Sequence, residues 1–234
     1  MTSDEQAPWT QLDTVSVLSE RSRRRMFAFI RSERRAVTRE EAAASVGISR
    51  KLAAFHLDKL VEAGLLRARY ETSGGVRKVG RRPKVYECTE AEISVSIPER
   101  RHELLADLLL AGVTGQDDGE RAEDAAVRAA RERGVELGVA AREQARPGRL
   151  GSERGLTTCA QMLDDHGFEP VREATGGVRL RNCPFHPLAA KAPGLVCAMN
   201  HAFIAGYLDG LQVRGVDAVL TPAPGECCVR LTAT

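Results

Sequence analysis

Four cysteines crowd the last quarter of the chain: Cys183, Cys197, Cys227 and Cys228. Thiolates are natural ligands of soft metals, so three of them meeting at one point would hold zinc or an iron–sulfur cluster. The spacing C-x13-C-x29-C lacks the compact C-x2-C pair of most structural zinc sites. That favours a cluster, with zinc as the alternative. Three sulfurs leave a fourth position open. His186, two residues beyond Pro184, is the first candidate for it, and His201, one helical turn after Cys197, is the second. The plain alternatives are small buried side chains for the cysteines and ordinary hydrogen-bonded rings for the histidines. A thiol-redox enzyme using Cys197 or the Cys227–Cys228 pair as nucleophile is a remoter alternative, which no C-x-x-C motif supports. The expectation is a protein that is not an enzyme.

Ligands far apart in sequence converge where strands end and helices begin. Cys183 follows the apparent strand VRLRN, Cys197 falls in the first turns of a helix starting near Pro193, and Cys227 and Cys228 open the last strand. Alternation puts Cys227 on the face of Val229 and Leu231, and Cys228 on that of Arg230. Cys227 is therefore the expected inward ligand, with Cys228 not excluded. GFEPVREATGGVRL from Gly167 resembles GVDAVLTPAPGECCVRL from Gly215, each a strand, turn and strand after a helical stretch. An α-β-β-α-β-β sensor domain is expected over residues 151–234. Residues 93–150 read as a helical linker or dimerisation segment, with Pro98 in the first turn of a helix striped by Leu104, Leu105, Leu108 and Leu109, and a long helix from about Glu120 to Glu143.

The other end of the chain carries a different chemistry. Residues 1–90 hold 18 basic against 12 acidic side chains, and the remainder 16 against 20, the pattern of a polyanion binder joined to something else. Thr38-Arg39-Glu40-Glu41 is a capping box, Gly47 a helix stop and Ser49 the cap of a further helix ending at Gly64. Two short helices around a glycine turn make a helix-turn-helix. On the second of them Ala53, Leu57, Leu60 and Gly64 share the inner sector, while Lys51, Ala54, Phe55 and Asp58 face outward with Arg50 at the edge. Ser49, Arg50 and Lys51 at the helix start suit guanine or phosphate, and Phe55 suits a thymine methyl or, alternatively, packing against a wing. Two strands, 65–72 and 84–89, form that wing, whose tip carries Arg77, Lys78, Arg81 and Arg82 toward phosphate or minor groove. Residues 1–92 are thus expected to be a winged helix-turn-helix that binds double-stranded DNA, in an α+β protein.

TREEAAASVGISRKLAAFHLDKLVEAGLL followed by GRRPKVYECT resembles the winged-helix domain of ArsR-type transcription regulators, which implies operator binding as a homodimer. NCPFHPLAAKAPGLVCAMNHAFIAGYLDGL with the later CCVRL is similar to the carboxy-terminal region of Suf-type iron–sulfur-dependent repressors. That likeness implies a 4Fe–4S cluster on Cys183, Cys197 and Cys227, and a repressor that answers to cluster or redox status. Structural zinc or an organic effector in the same domain is the alternative. No apolar segment reads as a secretory signal or a membrane span, and 29 of the 34 basic residues are arginine, as in GC-rich bacterial genomes. The expected setting is the bacterial cytoplasm, associated with the nucleoid.

Overall fold

The computed structural model describes residues 8–70, 83–145 and 150–233, which fall into two units, Met1–Val95 and Ser96–Thr234.

In the first unit, α1 (Pro8–Ser16) and a 3-10 turn (Val17–Ser19) lead into α2 (Arg21–Glu33), β1 (Val37–Thr38), α3 (Arg39–Val46), α4 (Arg50–Glu62), β2 (Leu66–Tyr70) and β3 (Lys84–Cys88). Local chemistry sets these boundaries. The Glu20 carboxylate accepts from the Ser22 and Arg23 amides at 2.9 and 2.8 Å and so caps α2. Thr38 Oγ1 accepts from the Glu41 amide at 3.3 Å, and Glu41 Oε2 accepts from the Thr38 amide at 2.7 Å, closing the capping box. Gly47 ends α3 at φ +72°, a conformation that suits glycine, and Ser49 Oγ accepts from the Leu52 amide at 3.2 Å to start α4. Met26, Ile30, Ala42, Ala53, Leu57, Leu60 and Tyr86 form the core beneath a sheet of order β1-β3-β2. β2 and β3 pair antiparallel from Leu66↔Cys88 to Tyr70↔Lys84.

The cap is also an acid-sensitive element. The Thr38 amide, the Arg35 guanidinium and the Thr38 hydroxyl hold the Glu41 carboxyl down to about 2. A pKa depressed in the folded state gives stability that is complete above the unfolded carboxylate value of about 4.3 and lost as pH falls toward 2. Thr38→Ala is expected to lower the stability of this unit by about 1 kcal/mol. Denaturant titrations should show that loss, and Glu41→Gln should flatten the unit's decline between pH 4.5 and 2.

The second unit contains α5 (His102–Thr114), α6 (Ala122–Ala145), α7 (Ser152–Asp165), β4 (Pro170–Arg172), β5 (Val178–Leu180), α8 (Leu188–Lys191), α9 (Pro193–Leu211), β6 (Val216–Leu220) and β7 (Val229–Ala233). Residues 93–150, read as a linker segment, thus supply two helices to this unit. Pro98 is not in the first turn of α5, which begins four residues later. The intervening Arg101 amide donates to Pro184 O at 3.0 Å and is drawn away from a helical start. The short α8 is an addition to the expected order of elements.

The sheet runs β4-β5-β7-β6, antiparallel throughout. Its centre is self-symmetric: the tripeptide Val-Arg-Leu of β5 lies against the identical tripeptide of β7 in the register Val178↔Leu231 and Arg179↔Arg230. Each hairpin follows a helix through a glycine at positive φ, Gly167 and Gly215. Val178, Leu180, Val229 and Leu231 pack into the core with residues of α7 and α9, while Arg179 and Arg230 are partly exposed and pair with Glu226 and Glu173.

α6 and α9 are pressed together by glycines at matching four-residue spacing, Gly134 and Gly138 on one and Gly206 and Gly210 on the other. A Cβ on Gly134 would run into Phe203 O, and one on Gly206 into Arg131 O. The two backbones are therefore in contact along two turns. Arg131 and Asp209 add an ion pair across the seam.

Candidate functional site

Four of the five cysteines of the second unit come to one place. β7 is a central strand, so its start lies beside the end of β5. The Cys227 amide donates to Leu180 O at 3.0 Å, which fixes the doubled cysteine next to the chain leaving β5 toward Cys183. On the other side the Thr221 amide donates to Cys228 O at 2.7 Å and ties the pair to the end of β6. Cys197 arrives from above, in the second turn of α9. Cys183, Cys197 and Cys228 wall a cleft of about 200 Å³, with His186 and Glu226 at its edge. That space is several times the roughly 30 Å³ share of one water molecule.

The sulfurs lie close enough to shift one another's titration, Cys227 acting on Cys183 and Cys228, and Cys228 on Cys197. Donation from the Cys227 thiol lowers the pKa of Cys183 and of Cys228, with Cys197 and Asn200 adding to the effect at Cys228. The Cys227 thiol itself is pushed up, because its proton is held between two neighbouring sulfurs. Burial pushes Cys197 up to about 12. Asn200, 1% exposed, aims Nδ2 at Cys227 Sγ from 3.1 Å. Cys183 and Cys228 are thus shifted toward ionisation, and the thiolate is the form that binds metal. Among the described residues no group of three or more His, Cys, Asp or Glu side chains is placed to hold a metal ion.

Both cysteines precede β7, which begins at Val229, and both are buried, so alternation within the strand does not separate them as expected. Of the two, Cys228 faces the cleft. His186 stands at its edge, whereas the His201 ring nitrogen lies 2.9 Å from Ala218 O and is engaged there. Cys159 is fully buried in α7, its thiol pushed up to about 12 by burial, and Cys88 is partly buried in β3. Asn200 was not found by sequence reasoning; an asparagine inside an apolar helix three residues after a candidate ligand was the available signal.

In the first unit, α4 turns Ala53, Leu57 and Leu60 into the core and leaves Arg50, Lys51 and Phe55 exposed, with Ala54 partly so. Phe55 is 53% exposed and Leu52 44%, two large apolar side chains on an otherwise polar face. His56 is buried, its Nδ1 3.7 Å from the Glu20 carboxylate. Ser49 is occupied as the cap of α4. Two charges on the outer face are partly neutralised: Arg50 lies 3.6 Å from Glu40, and Lys84 of β3 donates to Asp58 at 3.1 Å. The second pairing offsets a carboxylate that would repel phosphate. Arg77, Lys78, Arg81 and Arg82, with Gly74, Gly75 and Gly80 of the wing tip, lie outside the described residues.

No helix among the described residues is long and apolar enough to cross a membrane. Residues 18–69 match a family model described as a helix-turn-helix domain, covering α2 to nearly the end of β2. The second unit lies outside that match. A comparison with curated proteins finds no match for the chain.

Proposed function

We propose that this chain is a transcription regulator that reads operator DNA through α4 and the wing, and that its second unit holds an iron–sulfur cluster, 4Fe–4S, whose presence alters the affinity for DNA. The observation that carries the sensing half is the convergence of Cys183, Cys197 and Cys228, from three separate stretches of chain, on one cleft, with Cys227 adjoining them. The donor chemistry suits such a group, while the present placement of the side chains does not itself form a metal site. The donor set is sulfur, the cleft exceeds the needs of one ion, and Asn200 offers an amide hydrogen to the sulfurs. A bound cluster would supply a crosslink that oxidation or iron shortage removes.

Cys183, Cys197 and Cys228 are the proposed ligands, with Cys227 donating to two of them from behind and His186 the first candidate for the fourth position. Ligation would tie the end of one hairpin, the start of the other and the head of α9 together, and so fix the two helix-hairpin units against each other. The helix-turn-helix match supports the DNA-reading half, and the exposed Arg50, Lys51 and Phe55 provide donors and an apolar contact for a major groove. The resemblance to ArsR-type and Suf-type regulators adds a homodimer and a repressor to the proposal.

Anaerobic purification followed by iron, sulfide and zinc analysis tests this reading. Iron and sulfide in equal amounts, a broad visible absorbance, and a change of at least tenfold in affinity for a duplex selected by the chain on cluster removal are expected. Zinc in place of iron would make the centre structural. Neither metal would leave a DNA reader without this sensor.

A further inference from the structure

The loop that carries Cys183 and His186 is fastened to the stretch of chain immediately following the amino-terminal unit. Five hydrogen bonds make the attachment. Asn182 Nδ2 donates to Glu99 O at 3.0 Å, and Arg100 Nη1 donates to Asn182 Oδ1 at 2.7 Å and to Cys183 O at 2.9 Å. The Arg101 amide donates to Pro184 O at 3.0 Å, and His102 Nε2 donates to His186 O at 3.1 Å. The other Asn182 amide hydrogen goes to Gly167 O, so this 6% exposed side chain serves the attachment with most of its hydrogen-bonding capacity. On the far side of Arg100 the chain reaches Val95, the last residue of the first unit, within five positions.

Cys183 therefore presents its sulfur to the cleft and its carbonyl to Arg100. A shift of this residue on filling or emptying the cleft must either break the bond to Arg100 or move residues 99–102 with it. We propose that residues 96–102 are a strap that reports the state of the thiol cleft to the amino-terminal unit, with Arg100 as its positioning residue. The proposal rests on the cleft being the sensing site, but not on which group fills it.

The test is a double-mutant cycle in the full chain, with Cys197→Ser altering the cleft from α9 and Arg100→Ala releasing the strap. Two readouts are taken: amide hydrogen exchange at residues 89–96, and affinity for a duplex selected by the wild-type chain from a random-sequence pool. With Arg100 present, Cys197→Ser is expected to change each at least tenfold; with Arg100→Ala in place, the same substitution should change each less than twofold. A strap that merely supports the fold would leave the two effects additive. Equal responses in both backgrounds, or none with Arg100 present, overturn the proposal. Arg100→Met keeps much of the side-chain length but offers no donor to either oxygen that Nη1 reaches, and should reproduce the uncoupling if Arg100→Ala fails to fold. Iron and sulfide measured on the same samples judge the cluster separately. Their absence with a non-additive cycle removes the cluster and keeps the strap, and their presence with an additive cycle does the reverse.

Discussion

Gly134→Ala is expected to destabilise the carboxy-terminal unit by about 3 kcal/mol, the upper end of what overpacking costs. Two effects oppose each other. Alanine favours a helix over glycine by about 1 kcal/mol, which alone would stabilise α6. Against that, the new methyl would meet the Phe203 carbonyl oxygen and the Tyr207 amide nitrogen, backbone atoms that no rotamer change can move aside. Relief requires α6 and α9 to separate over their shared length, with loss of packing along the seam. The steric effect wins because it acts on two helices and the propensity on one residue. Gly194→Ala is the control, since a Cβ there has nothing within 4 Å and should leave stability unchanged or slightly raised. Urea denaturation of the three proteins measures both, and a Gly134→Ala chain as stable as the wild type would show that the seam is not packed at this spacing.

Cys228→Ser is expected to leave less than about a tenth of the wild-type iron after anaerobic purification, and Cys227→Ser more than about half. Loss of a ligand outweighs loss of a group that supports one, for which affinity changes of about 10- to 100-fold are usual. The difference comes from position: Cys228 walls the cleft, whereas Cys227 lies behind it and acts by donating to its neighbours. Serine at 227 keeps a donor, and serine at 228 offers a poor ligand to a soft metal. Iron and sulfide analysis of both variants decides, and the opposite ranking would make Cys227 the ligand, as alternation in the strand first suggested.

How much of this was legible in the residues follows the range over which each feature is determined. The Thr38–Glu41 box, the Gly47 stop and the Ser49 cap each involve groups within four positions, so the helices of the first unit could be read with their ends. The meeting of the cysteines was legible because strand ends and helix starts could be placed, whereas the central place of the two Val-Arg-Leu strands emerges only from the sheet order. The glycine seam was not, because Gly134 and Gly206 acquire meaning only when α6 lies on α9. Pro98 misled for the same reason: its local preference for a helix start is overruled by the bond from Arg101 to Pro184, more than eighty residues away. The doubled cysteine shows the limit of alternation, which describes a strand and not the residues before it.

The doubled cysteine is bonded on both sides, from the Cys227 amide to Leu180 and from the Thr221 amide to the Cys228 carbonyl. Neither backbone can shift without unzipping the sheet from β5 or β6. Cys197 rides a nineteen-residue helix clamped against its neighbour, and is nearly as stationary. Any mismatch in size between the cleft and what enters it is therefore absorbed by the peptide at Cys183.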